Sequence, residues 1–357
     1  MAVLTLTAAQ LAERIANGEM FDHDSFHQAD FRNMHIAGGL FSDCIFQNCY
    51  FDSSHIEQSN FINCQFVQCS FIGVQLQDCA FNRATLPATD FSRSSLTAAH
   101  FIECDLSRTR FDYAQLPDIN FLQCQLNNSS FYHAELPFAV FNQCQLTAAD
   151  FSQTQLERTA FLECGLDQIQ LRQAYLQQTL FEKPDLSGQD FSDMHLAMVQ
   201  FRYAKLNHCN FSRSNLTQAF FVEAELHQAR FDQVSGIGCQ FYQANLTGSS
   251  LRQSDFSQAS FQLADLSACD FSGSTLVQLL ASETMMQNTQ LTHCDLSYAD
   301  LSKAVLSYTD LTNAELYRTN LHAVIDNGAI WSGSSKYRAL ATDEKREKAD
   351  LWKPARV

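Results

Sequence analysis

The sequence predicts an all-β solenoid, a four-sided stack of coils, and three observations predict it. An apolar residue recurs at every fifth position from Phe21 to Leu321. Phe and Leu alternate at those positions with a period of ten over much of that span. All 13 cysteines fall in one phase of the repeat, two residues before such a position.

The first observation excludes the ordinary elements. Of 61 sites, 28 are Phe, 28 Leu, two Ile and one Met, and only Gly236 and Ala281 break the rule. A period of five matches neither the 3.6 of a helix nor the 2 of a strand. A chain that repeats every five residues turns a constant angle per repeat, and stacking its coils pairs the backbone groups. The alternation of Phe101, Leu106, Phe111, Leu116 and Phe121 fits four sides without proving them. Phe then lines two opposite faces and Leu the other two, so a large ring meets a smaller side chain and a narrow interior fills without voids. The cysteines share their phase mostly with Ala, Ser, Thr and Val, which marks an inward position for small residues. Cys104, Cys124, Cys144 and Cys164 therefore read as reduced core residues and not as disulfides or metal ligands.

These two phases carry a family resemblance. Ala149-Asp150-Phe151-Ser152-Gln153, Ala244-Asn245-Leu246-Thr247-Gly248, Ala264-Asp265-Leu266-Ser267-Ala268 and Ala299-Asp300-Leu301-Ser302-Lys303 resemble the consensus of the pentapeptide-repeat family. The resemblance spans residues 21–321. It implies a right-handed quadrilateral parallel β-helix of about 15 coils, each of about 20 residues, with ~4.8 Å between neighbouring strands.

Residues 1–20 predict an N-terminal capping helix. Thr7-Ala8-Ala9-Gln10 reads as a capping box, with Leu6 and Leu11 placed as a staple. Ala8, Leu11, Ala12 and Ile15 form one apolar face over about residues 8–17, and Gly18 is the stop. Two interior defects follow. Gly236 at a core site, with Gly238 after it, predicts a bulge or kink. Ala281, within Val277 to Gln290, predicts a distorted or protruding coil. After Leu321 the period ends, and residues 322–357 hold both tryptophans, Trp331 and Trp352. Thr342 as N-cap and Pro354 as terminator predict a short helix there, read as a C-terminal cap, with a partner-docking tail as the alternative. Asp350-Leu351-Trp352-Lys353-Pro354 resembles tails of family members encoded near type VI secretion machinery. Two capped ends predict a monomer.

No catalytic constellation is legible, so neither an enzyme nor a bound cofactor or metal is expected. His208-Cys209-Asn210 and His293-Cys294-Asp295 contain triad residue types, but their Cys lies in the inward phase. His35 and His55 stack 20 residues apart with no third ligand. Gly236-Ile237-Gly238 precedes no helix and is no phosphate loop. The net charge of −16 argues against direct binding to nucleic acid or anionic lipid. Met1 to Gln10 carries no basic residue and no long apolar run follows, so a cytoplasmic protein without a membrane span is expected. The reading is a non-catalytic acidic scaffold for an unidentified protein partner. The resemblance implies two alternatives: a DNA mimic that binds a type II topoisomerase such as gyrase, or an accessory or effector of type VI secretion. Residues 21–321 hold 32 Asp or Glu against 15 Lys or Arg, and basic residues interrupt the acidic ones throughout.

Overall fold

The computed structural model describes residues 8–350 and 352. The capping residue expected at Thr7 and the stop at Pro354 lie outside them. Contacts divide the chain into two compact units, Met1–Pro184 and Asp185–Val357. Each is a parallel β-solenoid in which residues pair with those 20 positions on.

The first unit opens with helix α1 (Ala8–Ala16). Leu11 and Ile15 are buried, and the Arg14 guanidinium lies 4.5 Å from the Phe21 ring centre, so the helix meets the first coil. Gly18 ends it in the left-handed region at φ 73°, with Glu19 N–H donating to the Arg14 carbonyl at 3.0 Å. At 20 residues per turn, residues 21–184 make about eight turns. The single run of about fifteen expected from the sequence is thus replaced by a count for each unit.

Three backbone bonds per repeat hold neighbouring coils together. Around Leu126, Gln125 N–H donates to the Cys104 carbonyl at 2.9 Å, Leu126 N–H to Gln145 at 2.8 Å, and Asn128 N–H to Thr147 at 2.9 Å. The last of these needs a left-handed residue two positions beyond the central one. That conformation recurs along the chain at non-glycine residues such as Gln123 (φ 54°) and Asn128 (φ 57°). It costs roughly 1–2 kcal/mol at a residue with a Cβ, offset here by the ladder bond it aims. Inside, Phe121 stacks between Phe101 and Phe141 at 5.3 and 4.9 Å and meets Phe131 edge-on at 6.2 Å. Such pairs contribute about 0.5–1.5 kcal/mol beyond their burial.

The corners come in two kinds. Where a central Phe is followed three residues later by Cys, the face is extended and carries a short strand, as at Asn120–Leu122 and Val140–Asn142. With the strands at Phe21, Phe81 and Phe181 they build a nine-stranded sheet on the first face, and with the strand at Phe26 a three-stranded sheet on the second. Where Cys follows Leu, or Gly236, the corner closes with a turn bond: Cys79, Cys209, Cys239, Cys269 and Cys294 donate their N–H to the central carbonyl at 3.1–3.3 Å. All eight Phe-x-x-Cys runs are of the first kind, and among the described residues none makes that turn bond. Their thiols approach two carbonyls instead; Cys124 Sγ lies 3.3 Å from the Phe101 oxygen and 3.5 Å from that of Leu122.

The second unit repeats the ladder through isolated bridges such as Asn210↔Arg230 and Asn245↔Asp265. Both expected defects are absent. Gly236 donates its N–H to the Asp255 carbonyl at 2.7 Å, in register. A Cβ there would come within 2.4 Å of the Phe256 ring, so a neighbouring coil fills the space that the glycine leaves. At Ala281 the coil is equally regular, with Leu280 bridged to Ser260 and Asp300. Leu279, in a phase held mostly by small residues, is fully buried and supplies the missing volume.

The C-terminal expectation also changes. The coil does not stop at Leu321, because Leu306, Leu311 and Leu321 donate their N–H groups to Ile325, Ile330 and Leu340 at 2.7–2.9 Å. The stacked backbone continues although two of its central positions are Asp326 and Lys336, which pair at 2.9 Å. Trp331 is half-buried beneath the Lys336 ammonium at 3.8 Å. Helix α2 (Glu344–Asp350) buries no residue, and Trp352 is 72% exposed. Polar contacts hold α2: Lys303 and the buried His322 both meet Asp350, at 2.9 and 3.4 Å. A helical cap over the last coil, one ground for a monomer, is therefore not what α2 provides.

Candidate functional site

With the interior closed by packing, the chemistry available to partners lies on the outward residues. The 20-residue register assigns each of them to one of four faces, counted from those of Phe21, Phe26, Phe31 and Ile36.

The third face carries the most charge and neutralises much of it. Arg32 pairs with Asp30 at 2.5 Å, and Arg110 with Asp112 at 2.9 Å and Asp90 at 3.5 Å in the first unit. In the second, Arg213 pairs with Asp193 at 2.6 Å and Arg252 with Asp270 at 2.5 Å. The side-chain hydrogen bonds from Arg32 pull the Asp30 carboxyl down to about 2. On the fourth face of the first unit, Glu57, Asp78, Asp118, Glu135 and Glu157 oppose Arg158 alone among Lys and Arg residues. Acidity is thus spread over the faces, with one moderate excess.

A different surface forms late in the second unit. Tyr298 and Tyr317 meet edge-on at 5.4 Å, and Arg338 lies over the Tyr317 ring at 4.5 Å while pairing with Glu315 at 3.0 Å. Tyr337 is 87% exposed, and Tyr308 on another face 68%. The sequence reading did not single out this cluster. Its signal is tyrosine in outward phases, which the Phe and Leu pattern overshadows.

The residues singled out by sequence are placed as follows. Phe101, Leu106, Phe111, Leu116 and Phe121 are fully buried. Cys104, Cys124 and Cys144 are buried and Cys164 half-buried. Contacts with the Cys104 and Cys144 thiols, and then burial, push the Cys124 thiol up. Burial pushes Cys239 up to about 12, and burial first, with the charges of Asp265 and Asp270, does the same for Cys269. His35 and His55 stack at 4.3 Å, and His55 Nδ1 pairs with Glu57 at 2.8 Å. Cys209 and Cys294 are buried while His208 and His293 point outward, so neither run assembles a nucleophile and base. Among the described residues one trio of ligand-type side chains does converge: Asp22, His23 and Asp43.

The family model for a pentapeptide repeat region matches residues 74–139, 135–211 and 195–261, and a second, for eight copies of the repeat, matches 49–86 and 286–322. The chain is a pentapeptide-repeat protein. Solved structures similar to this pentapeptide-repeat protein include Rfr23 from the cyanobacterium Cyanothece 51142, at 28% identity over 26% of this chain, with a TM-score of 0.25. The chain spans 64% of the length of Rfr23. HetL, from Nostoc sp. strain PCC 7120 and involved in heterocyst differentiation regulation, is 17% identical over 95% of this chain and 98% of its own, with a TM-score of 0.21. Full-length QnrB1, a plasmid-mediated fluoroquinolone resistance protein, is 22% identical over 57% of this chain and 90% of its own, with a TM-score of 0.23. No curated protein matches the chain. Among the described residues no helix is long and apolar enough to cross a membrane.

Proposed function

We propose that this pentapeptide-repeat protein is a non-catalytic scaffold that binds another protein through its outward faces. The observation that carries the reading is the cluster of Tyr298, Tyr317 and Arg338, with the exposed Tyr337 beside Arg338 in the chain. Tyr and Arg dominate binding energy at protein interfaces because they bury large, rigid or multidentate surfaces at low entropic cost. Solenoid faces offer extended area for such docking and little concavity for a small substrate.

The test compares partner recovery by the full chain with that by a Tyr317→Ala, Tyr337→Ala double variant of unchanged melting temperature. A partner recovered at least tenfold less by the variant supports the reading; equal recovery places docking elsewhere. Deleting residues 342–357 removes no residue of the coil through Leu340 and, once a circular dichroism melt shows the variant folded, isolates the tail. Loss of the partner only on that deletion favours the secretion-linked alternative.

The acidic fourth face of the first unit favours DNA mimicry as a second reading. From Glu57 to Glu157 its five acids span five coils, on the order of 24 Å at the strand spacing. That is about one charge per 5 Å, against one per about 1.7 Å for duplex DNA. A gyrase supercoiling assay decides this reading. Inhibition lost on Glu135→Gln with Glu157→Gln would support it, and no inhibition by the unaltered chain would remove it.

A further inference from the structure

We propose that Asp22, His23 and Asp43 form a binding site for a divalent first-row transition ion of the zinc class. Their donor atoms lie within 4.8 Å of one another. The ladder brings them together: Asp22 ends the first strand (Met20–Asp22) and pairs in register with Ser42, so His23 and Asp43 are neighbours one coil apart. Both occupy the left-handed position of their repeats, at φ 57° and 53°. Their N–H groups are fixed to the Ser42 and Ile62 carbonyls at 3.0 and 2.9 Å. The backbone beneath two of the three ligands is therefore held by strand pairing, which is the support a site needs if its ligands are to be ordered before metal arrives.

The local charge favours a cation. Two carboxylates flank the ring, and His23 Nδ1 already sits 2.9 Å from Asp22 Oδ1. Asp43 accepts a hydrogen bond from Ser42 Oγ at 2.8 Å, and among the described residues it pairs with no lysine or arginine. The same column further on is neutralised without metal, as where Arg83 meets Glu103 at 2.9 Å. The side chains of Asp22 and His23 are 55% and 64% exposed, so they can rotate inward to the roughly 2.0–2.2 Å that zinc–nitrogen and zinc–oxygen bonds require. One imidazole and two carboxylates with positions left for water suit zinc, nickel or cobalt, whereas an all-oxygen set suits magnesium or calcium. Bound there, the ion ties the first coil to the second at the side chains as well as through the backbone. Because the ion takes the unprotonated ring, binding weakens as pH falls.

The test is titration calorimetry of the full-length protein, stripped with chelator, against zinc chloride at neutral pH. His23→Ala and Asp43→Asn are compared with His55→Ala, which disrupts the stacked His35–His55 pair. The proposal expects one site per chain, weakened at least tenfold in the His23 and Asp43 variants and unchanged in the His55 variant. Circular dichroism melts check that each variant is folded. Absence of a one-to-one site, an isotherm indifferent to His23 and Asp43, or loss on His55→Ala would each overturn it.

Discussion

The two units solve the same packing problem with different corners. In the first, most cysteines follow a central Phe, the side of the coil is extended, and the thiol approaches two carbonyls in place of a backbone turn bond. In the second, all four cysteines follow Leu or Gly236, the turn bond closes, and the thiol reaches one carbonyl at 2.8–3.1 Å, with a second, at 3.9 Å, for Cys294 alone. The difference teaches that the central residue does not choose the corner alone: every Phe-x-x-Cys run stays open, whereas Phe51, Phe131 and Phe241 close with a turn bond from Ser54, Ala134 and Ala244. A ring with Cys three residues on accompanies the open, strand-like side, and Cys after a smaller central residue accompanies the closed turn. Among the described residues eight of the twelve strands hold a Phe-x-x-Cys run, and the four at Phe21, Phe26, Phe81 and Phe181 do not.

The largest expected effect tests the inward phase on which that comparison rests. Phe121→Asp places an unpaired carboxylate among stacked rings and should destabilise the protein by about 4 kcal/mol or more. Gln123→Asp, outward in the same repeat, should change stability by less than about 0.5 kcal/mol. Similar denaturant midpoints for the two would mean the phase is wrong.

Next in size is the alkaline response of the second unit, where Cys209, Cys239, Cys269 and Cys294 are pushed up to about 12, chiefly by burial. A thiol whose folded value is raised contributes stability in full below its unfolded value near 9. That contribution disappears as pH rises to about 12, by roughly 1.4 kcal/mol per unit. Melting followed from pH 8 to 11 should show a steep loss that Cys239→Ala with Cys269→Ala makes shallower. An unaltered slope would contradict the burial assigned to these thiols.

A smaller effect is expected at Gly236. Adding a methyl group there drives a carbon into the Phe256 ring, and Gly236→Ala should cost about 1–3 kcal/mol. A neutral result would show that the core gives way where packing is drawn as tight. Smallest is the contrast between corner types. Cys124→Ala removes a thiol near two carbonyls and Cys269→Ala one that contacts a single carbonyl, so the former should cost more, by a few tenths to about 1 kcal/mol. Urea midpoints compare them, and the reverse order would break the link between corner and thiol.

Much of this architecture was legible because the core is periodic. Phe101 to Phe121 give the phase, and the cysteines give the second inward position. What escaped was compensation between positions. Gly236 looked like a kink because the Phe256 ring that fills its space lies 20 residues away, and Ala281 looked like a defect although Leu279 supplies its volume from the neighbouring phase. The coil beyond Leu321 escaped for a related reason. Its backbone is templated by the coil before it, so Asp326 and Lys336 are tolerated where the period demands apolar residues. The Tyr298–Tyr317–Arg338 cluster and the Asp22–His23–Asp43 trio need the 20-residue register before they appear as neighbours.

That register is the central claim, and a distance within the first unit tests it most directly. Gln68 and Gln168 belong to one outward column, five coils apart. Spin labels placed there through a non-thiol chemistry that spares the cysteines should show a pulsed-resonance distance centred at about 24 Å, five strand spacings. A distribution centred beyond roughly 35 Å, or one without a defined maximum, would contradict a parallel stack of twenty-residue coils.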